Sequence, residues 1–127
     1  MAGTVTTTEH TLFNMKKIKF EWTSTTGGEA SDTTDYTYGG LVHRVIIAPS
    51  TGTTIPDANY DVAINDSDGY DILNGLGDNS STSSATHYGI STGGVAKSPL
   101  SAVSSKLSLA VSDAGNAKTG TVIVYIR

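Results

Sequence analysis

Three short stretches of this 127-residue chain carry residue types and spacings that could do chemistry. Gly89-Ile90-Ser91-Thr92-Gly93 fits the G-x-S-x-G nucleophile elbow, in which a strained strand-to-helix turn exposes a serine. Here a Gly-Gly loop follows in place of a helix pattern, and the last histidine, His87, precedes the serine, so the order Ser, Asp, His fails as well. A chain this rich in Ser and Gly produces such matches by chance, and the stretch reads as a loop. Asp66-Ser67-Asp68-Gly69-Tyr70-Asp71 offers several hard oxygens to calcium, but an EF-hand glycine and bidentate glutamate are not in place. The preferred reading is an Asp-Gly hairpin turn whose carboxylates cap backbone amides. Gly75-Leu76-Gly77-Asp78-Asn79-Ser80 begins like a dinucleotide-binding turn and lacks the third glycine and the helix.

The remaining candidates are scattered. His10, His43 and His87 have no metal-ligand spacing, and His43 beside Arg44 is expected at the edge of a core strand or in a subunit contact. Asn79-Ser80-Ser81 fits a glycosylation sequon that has meaning only in a secreted chain. Trp22, Tyr36 and Tyr38 could form a sugar-stacking platform, although core or interface packing is the commoner use of such rings. No nucleophile, base and orienter can be assembled. The expectation is a non-enzyme with no catalytic, cofactor-binding or metal residues and no cofactor.

Composition bounds the architecture. The chain is long enough to bury a core as one domain, and without cysteine it has neither disulfides nor thiolate metal sites. Only 16% of residues are charged, while 15 serines, 19 threonines and 14 glycines suit short strands joined by many turns. A formal charge of −4 argues against nucleic-acid binding. No apolar run is long enough for a membrane span, and the N-terminus lacks a signal core, so a soluble protein made in the cytoplasm is expected.

The elements that must carry these residues are strands. Tyr60 to Leu73 is the clearest hairpin: Tyr60, Val62 and Ile64 alternate with polar residues, Asp68-Gly69 turns, and Tyr70, Ile72 and Leu73 resume. Ile18, Phe20 and Trp22 alternate with Lys17, Lys19 and Glu21, which predicts a strand with one wet face. Leu41 to Ile47 has apolar residues on both parities, interrupted by His43 and Arg44, which suggests a central strand covered on two faces and ended by Pro49. Residues 86–90 suggest a short strand. Leu107, Leu109 and Val111 alternate, and 121–126 reads as a central strand paired with 106–112 in a hairpin. Residues 1–11 have no apolar face and read as an extended, flexible arm, ordered only if something captures it. Thr23 to Asp35 and Asn74 to Ser84 read as polar loops. No amphipathic helix of ten residues is found. The prediction is an all-β, single-domain β-sandwich or small β-barrel, jelly-roll-like, over 12–127, with the arm at 1–11.

Gly39-Gly40-Leu41-Val42-His43-Arg44-Val45, the strand ending at Pro49, Tyr60-Asp61-Val62, Asp66 to Leu73 and the Gly/Asn/Ser loop at 74–84 together resemble the small all-β proteins encoded among the head genes of tailed bacteriophages. Several of those are capsid decoration (cement) proteins. The likeness covers about residues 36–84 and, more loosely, the last strands, and its motif is a strand-turn pattern. It implies a virion protein on the outer capsid surface that bridges and stabilises capsid subunits. Its implied partners are the major capsid protein and further copies of itself, with a trimer favoured, and neither nucleic acid nor membrane. The expected contacts are residues 1–11, with the arm adding a strand to a capsid sheet, and the loops at 23–35 and 74–84. Two other readings stay open: a tail, baseplate or connector component, and a carbohydrate-binding β-sandwich using Trp22, Tyr36 and Tyr38.

Overall fold

The computed structural model describes residues 3–89 and 102–127, and they build nine strands and one short 3-10 turn at Gly52–Thr54. The strands are β1 (Thr4–Leu12), β2 (Met15–Thr23), β3 (Ala30–Thr33), β4 (Tyr38–Pro49), β5 (Asp61–Asn65), β6 (Thr86–Gly89), β7 (Ala102–Ser105), β8 (Ser108–Ser112) and β9 (Thr119–Ile126). A large sheet runs β1-β2-β9-β4-β6, with β7 also on β4, and a small one runs β3-β8-β5. Antiparallel pairs nest: β2 with β9, β3 with β8, β4 with β6 and β7. Innermost, β5 meets the returning chain through an Asn65–Asp71 bridge and the Val62 N–H on the Gly77 carbonyl. One long hairpin folded over on itself in this way is a jelly roll. The all-β sandwich expected from the sequence is present, and the strand order, which periodicity does not encode, decides among sandwich topologies.

Alternation fills the core as the sequence pattern requires. Ile18, Phe20 and Trp22 of β2, Val122, Val124 and Ile126 of β9, and Val42, Val45 and Ile47 of β4 line the inner face of the large sheet. They meet Val62 and Ile64 of β5 and Leu109 and Val111 of β8, and Tyr60, Ile72, Leu73 and Leu107 seal the ends. Buried hydroxyls are satisfied at the seams. Ser24 donates to the Gly115 carbonyl and accepts from Lys118 N, while Thr34 donates to the Tyr36 carbonyl and accepts from Leu107 N.

Four expectations change. First, β4 is not covered on both faces. Its pairing with β9 slips between Val42 and Arg44, so His43 is the extra residue of a bulge. The bulge resets the phase, turning Val42 and Val45 inward and leaving Leu41 and Arg44 exposed, and mixed parity results from that shift. Second, β9 is central but pairs with β2 and β4 instead of 106–112, because Asp113 to Lys118 crosses between sheets. Third, the flexible arm at 1–11 is captured by its own chain: Thr4–Leu12 pairs with β2 through nine consecutive residue pairs. The two-residue loop Phe13-Asn14 makes this hairpin with Phe13 at φ 56, a position where glycine is the usual choice, so no Asn-Gly or Asp-Gly signal announced it. Fourth, the polar loop at 23–35 contains β3, whose inward-facing Ala30 is buried.

Candidate interaction surface

The acidic turn resolves into backbone capping. Asp66 accepts from Asp68 N and Tyr70 N at 3.0 Å each. Asp71 accepts from Ile64 N, Leu73 N and Gly75 N at 3.0–3.1 Å. Asp61 accepts from Asn79 N at 2.9 Å. These carboxylates are committed to shaping turns, and among the described residues no group of three or more His, Cys, Asp or Glu is placed to hold a metal. The serine of the G-x-S-x-G stretch, Ser91, lies outside the described residues. His10 and His43 lie on different strands, and Asn79 is exposed.

The aromatic trio does not form a platform. Trp22 is 2% exposed and packs on Tyr60 with ring centroids 5.8 Å apart. Tyr38 is buried and donates its hydroxyl to Glu9 at 2.6 Å, and burial, with this bond, pushes the phenol well above its usual pKa. Only Tyr36 is open to solvent.

Glu9 lies within the polar N-terminal run, where no periodicity marks it. Besides Tyr38 it accepts from Asp35 N and Tyr36 N at 3.0 and 3.2 Å, and two residues earlier Thr7 donates to Asp32. Side chains therefore tie β1 to the β3 side of the sandwich, where no backbone ladder is formed. Residues 74–84, expected as a free loop, are anchored in their first half. Val62 N donates to Gly77 O and Ser80 N to Tyr60 O, Ser80 is buried, and Leu76 packs on the core. Gly77 lies directly on Val62, a fit that a side chain would prevent. All three segments expected as contacts thus serve the fold first.

What the fold leaves open is elsewhere. Among the described residues, the exposed large apolar side chains are Leu12 (61%), Phe13 (93%), Tyr36 (65%), Leu41 (51%) and Tyr70 (73%). The strand register brings them to one end of the sandwich. Leu12 and Phe13 form the β1–β2 turn, next to Lys16, which pairs with Ile126. Arg127 and Leu41 exchange two backbone bonds of 2.9 Å immediately beyond. Tyr36 shares a shallow hollow of about 260 Å³ with Glu9, Thr11 and Lys16. Tyr70 closes the turn in which Ser67 N donates to Ser105, the β7 partner of Tyr38. Alternation gave no warning of Tyr70, since its place in the hairpin suggested a core residue.

No protein-family model, curated protein or solved structure matches this chain.

Proposed function

We propose that this chain is a non-enzymatic structural protein of a tailed-phage particle, decorating and stabilising the outside of the capsid by bridging its subunits. The observation that carries the reading is the concentration of exposed large apolar residues at one end of a small β-sandwich. Soluble monomers rarely gather such residues, and a gathered patch marks a docking site. The sequence likeness to head-gene proteins supplies the kind of partner, the major capsid protein. Copies arranged on a lattice add avidity, so a modest contact per copy suffices to hold neighbouring subunits. A tail, baseplate or connector role would use the same surface at far lower copy number. The carbohydrate reading loses its support, because Trp22 and Tyr38 are buried.

The test is re-addition of the purified protein to particles that lack it. Wild type should bind and raise the temperature at which the shell releases its DNA. Phe13→Ser combined with Tyr70→Ser should leave the domain folded and reduce binding at least about tenfold, the scale on which hot-spot residues act. Equal binding by this variant would remove the exposed end from the account.

A further inference from the structure

We infer that the solvent-facing side of the large sheet is a docking face for an acidic protein surface. The inference rests on the reading of the chain as a structural docking protein and specifies the face and the partner's chemistry.

The register lays the outward side chains in rungs across four strands. One rung reads His10, Lys17, Tyr125 and Arg44 from β1 to β4. Lys17 Nζ and Arg44 Cζ each lie 5.9 Å from the centroid of the Tyr125 ring between them. Towards the middle of the sheet, the next rung is Thr8, Lys19, Ile123 and Ile46, with both isoleucines half-buried. Towards the exposed end, Leu12, Met15, Arg127 and Leu41 complete the face. Glu21, bonded to Lys19 at 3.2 Å, is the one acid among the described outward residues of β1, β2, β9 and β4.

This distribution runs against the chain as a whole. The net charge is −4, yet the side chains of this face include Lys17, Lys19, Arg44 and Arg127 against one acidic side chain, Glu21. Asp61, Asp66, Asp68, Asp71 and Asp78 lie instead on β5 and the turns after it. Separated charge of this kind steers an oppositely charged partner and rejects a like one. Symmetric pairing of two copies through this face would bring cation onto cation, so a second copy is not its occupant. Four strands spaced about 4.8 Å apart and about 30 Å long give a face of roughly 600 Å². That approaches the ~800 Å² per partner of a standard specific interface. The aliphatic centre and lone ring favour a protein over single-stranded nucleic acid, which asks for several stacking rings, and a net charge of −4 disfavours a duplex. A bilayer is disfavoured because the apolar residues of this face, Ile46 and Ile123, are themselves half-buried and leave no projecting apolar side chain at its centre to insert.

The full chain, isotope-labelled, is titrated with a random copolymer of glutamate and tyrosine while amide shifts are followed. Saturable shifts are expected at Lys17, Lys19, Arg44, Ile123 and Tyr125, with affinity falling as salt rises. Lys17→Glu/Lys19→Glu/Arg44→Glu should weaken binding at least about tenfold at unchanged circular dichroism, and the milder Lys17→Gln/Lys19→Gln should weaken it less. Shifts centred elsewhere, equal binding of polylysine, or tighter binding of oligo(dT) or of phosphatidylcholine–phosphatidylserine vesicles would overturn the inference. The titration needs no phage particle, so its result is separable from the virion reading. Particle binding that survives charge reversal would leave that reading standing and remove this face.

Discussion

Gly120 of β9 shows how one absent side chain sets the depth of the core. A methyl group there would overlap the indole of Trp22, whose ring lies on the bare backbone. Gly120→Ala is therefore expected to cost about 1–3 kcal/mol, read as a lower denaturation midpoint at unchanged m-value, the signature of overpacking. A second residue-scale prediction concerns Tyr38. Its phenol is raised from 10.0 chiefly by burial and then by Glu9, so the neutral form is favoured in the folded state. Its contribution is fully present below pH 10 and is lost as pH rises above that value, because the unfolded chain gives up the proton first. Stability should fall above pH 10 by up to about 1.4 kcal/mol per pH unit from this group. Tyr38→Phe should remove that part of the slope, and an unchanged slope would show that Tyr38 ionises freely in the native state. Phe13 is the opposite case, a large side chain held at positive φ with 93% of its surface in water. Phe13→Gly should keep or raise stability by up to about 1 kcal/mol while weakening docking, and a clear loss of stability would mean that the ring packs.

At the scale of elements, what could be read in advance depended on whether a segment's pattern was self-contained. β2, β5 and β8 show simple alternation because each buries one face, and their inward residues are those the pattern selected. β4 misled through its bulge, since a single extra residue at His43 exchanges the parities on either side of it. β1 was illegible as a strand because its inward positions are Val5, Thr7, Glu9 and Thr11, a row that is mostly polar and ties to Asp32, Asp35 and Tyr38 by hydrogen bonds. The capping role of Asp66 and Asp71 was legible from turn chemistry alone. It leads to a further prediction: Asp71→Ala leaves Ile64 N, Leu73 N and Gly75 N without their acceptor. A loss of about 2–3 kcal/mol is expected, with faster hydrogen exchange confined to residues 64–75. Uniform exchange and unchanged stability would contradict a structural role for the carboxylate.

Taken as a whole, the chain is a nested hairpin whose first and last strands, β1 and β9, flank β2 in the large sheet. Strand order was not legible, because nested and meandering topologies use identical alternating strands. The exposed end was likewise hidden, since Leu12, Tyr36, Leu41 and Tyr70 come from four separate segments and only the register brings them together. Each of these residues alone would be unremarkable on a protein surface. Under the function proposed above, the end and the cationic sheet face beside it would act as one docking region. Removing residues 1–11 would therefore do more than shorten an arm. It would uncover the β2 edge along the full ladder, and aggregation with lost stability is expected, measured by light scattering and thermal unfolding.

Whether this surface serves the outside of a phage capsid, as proposed, can be read from the copy number of this chain in purified particles relative to the major capsid protein. Near-stoichiometric abundance is expected, as a protein bridging subunits across the lattice requires. A handful of copies would place the protein in the tail or connector, and its absence from the particle would end the virion reading.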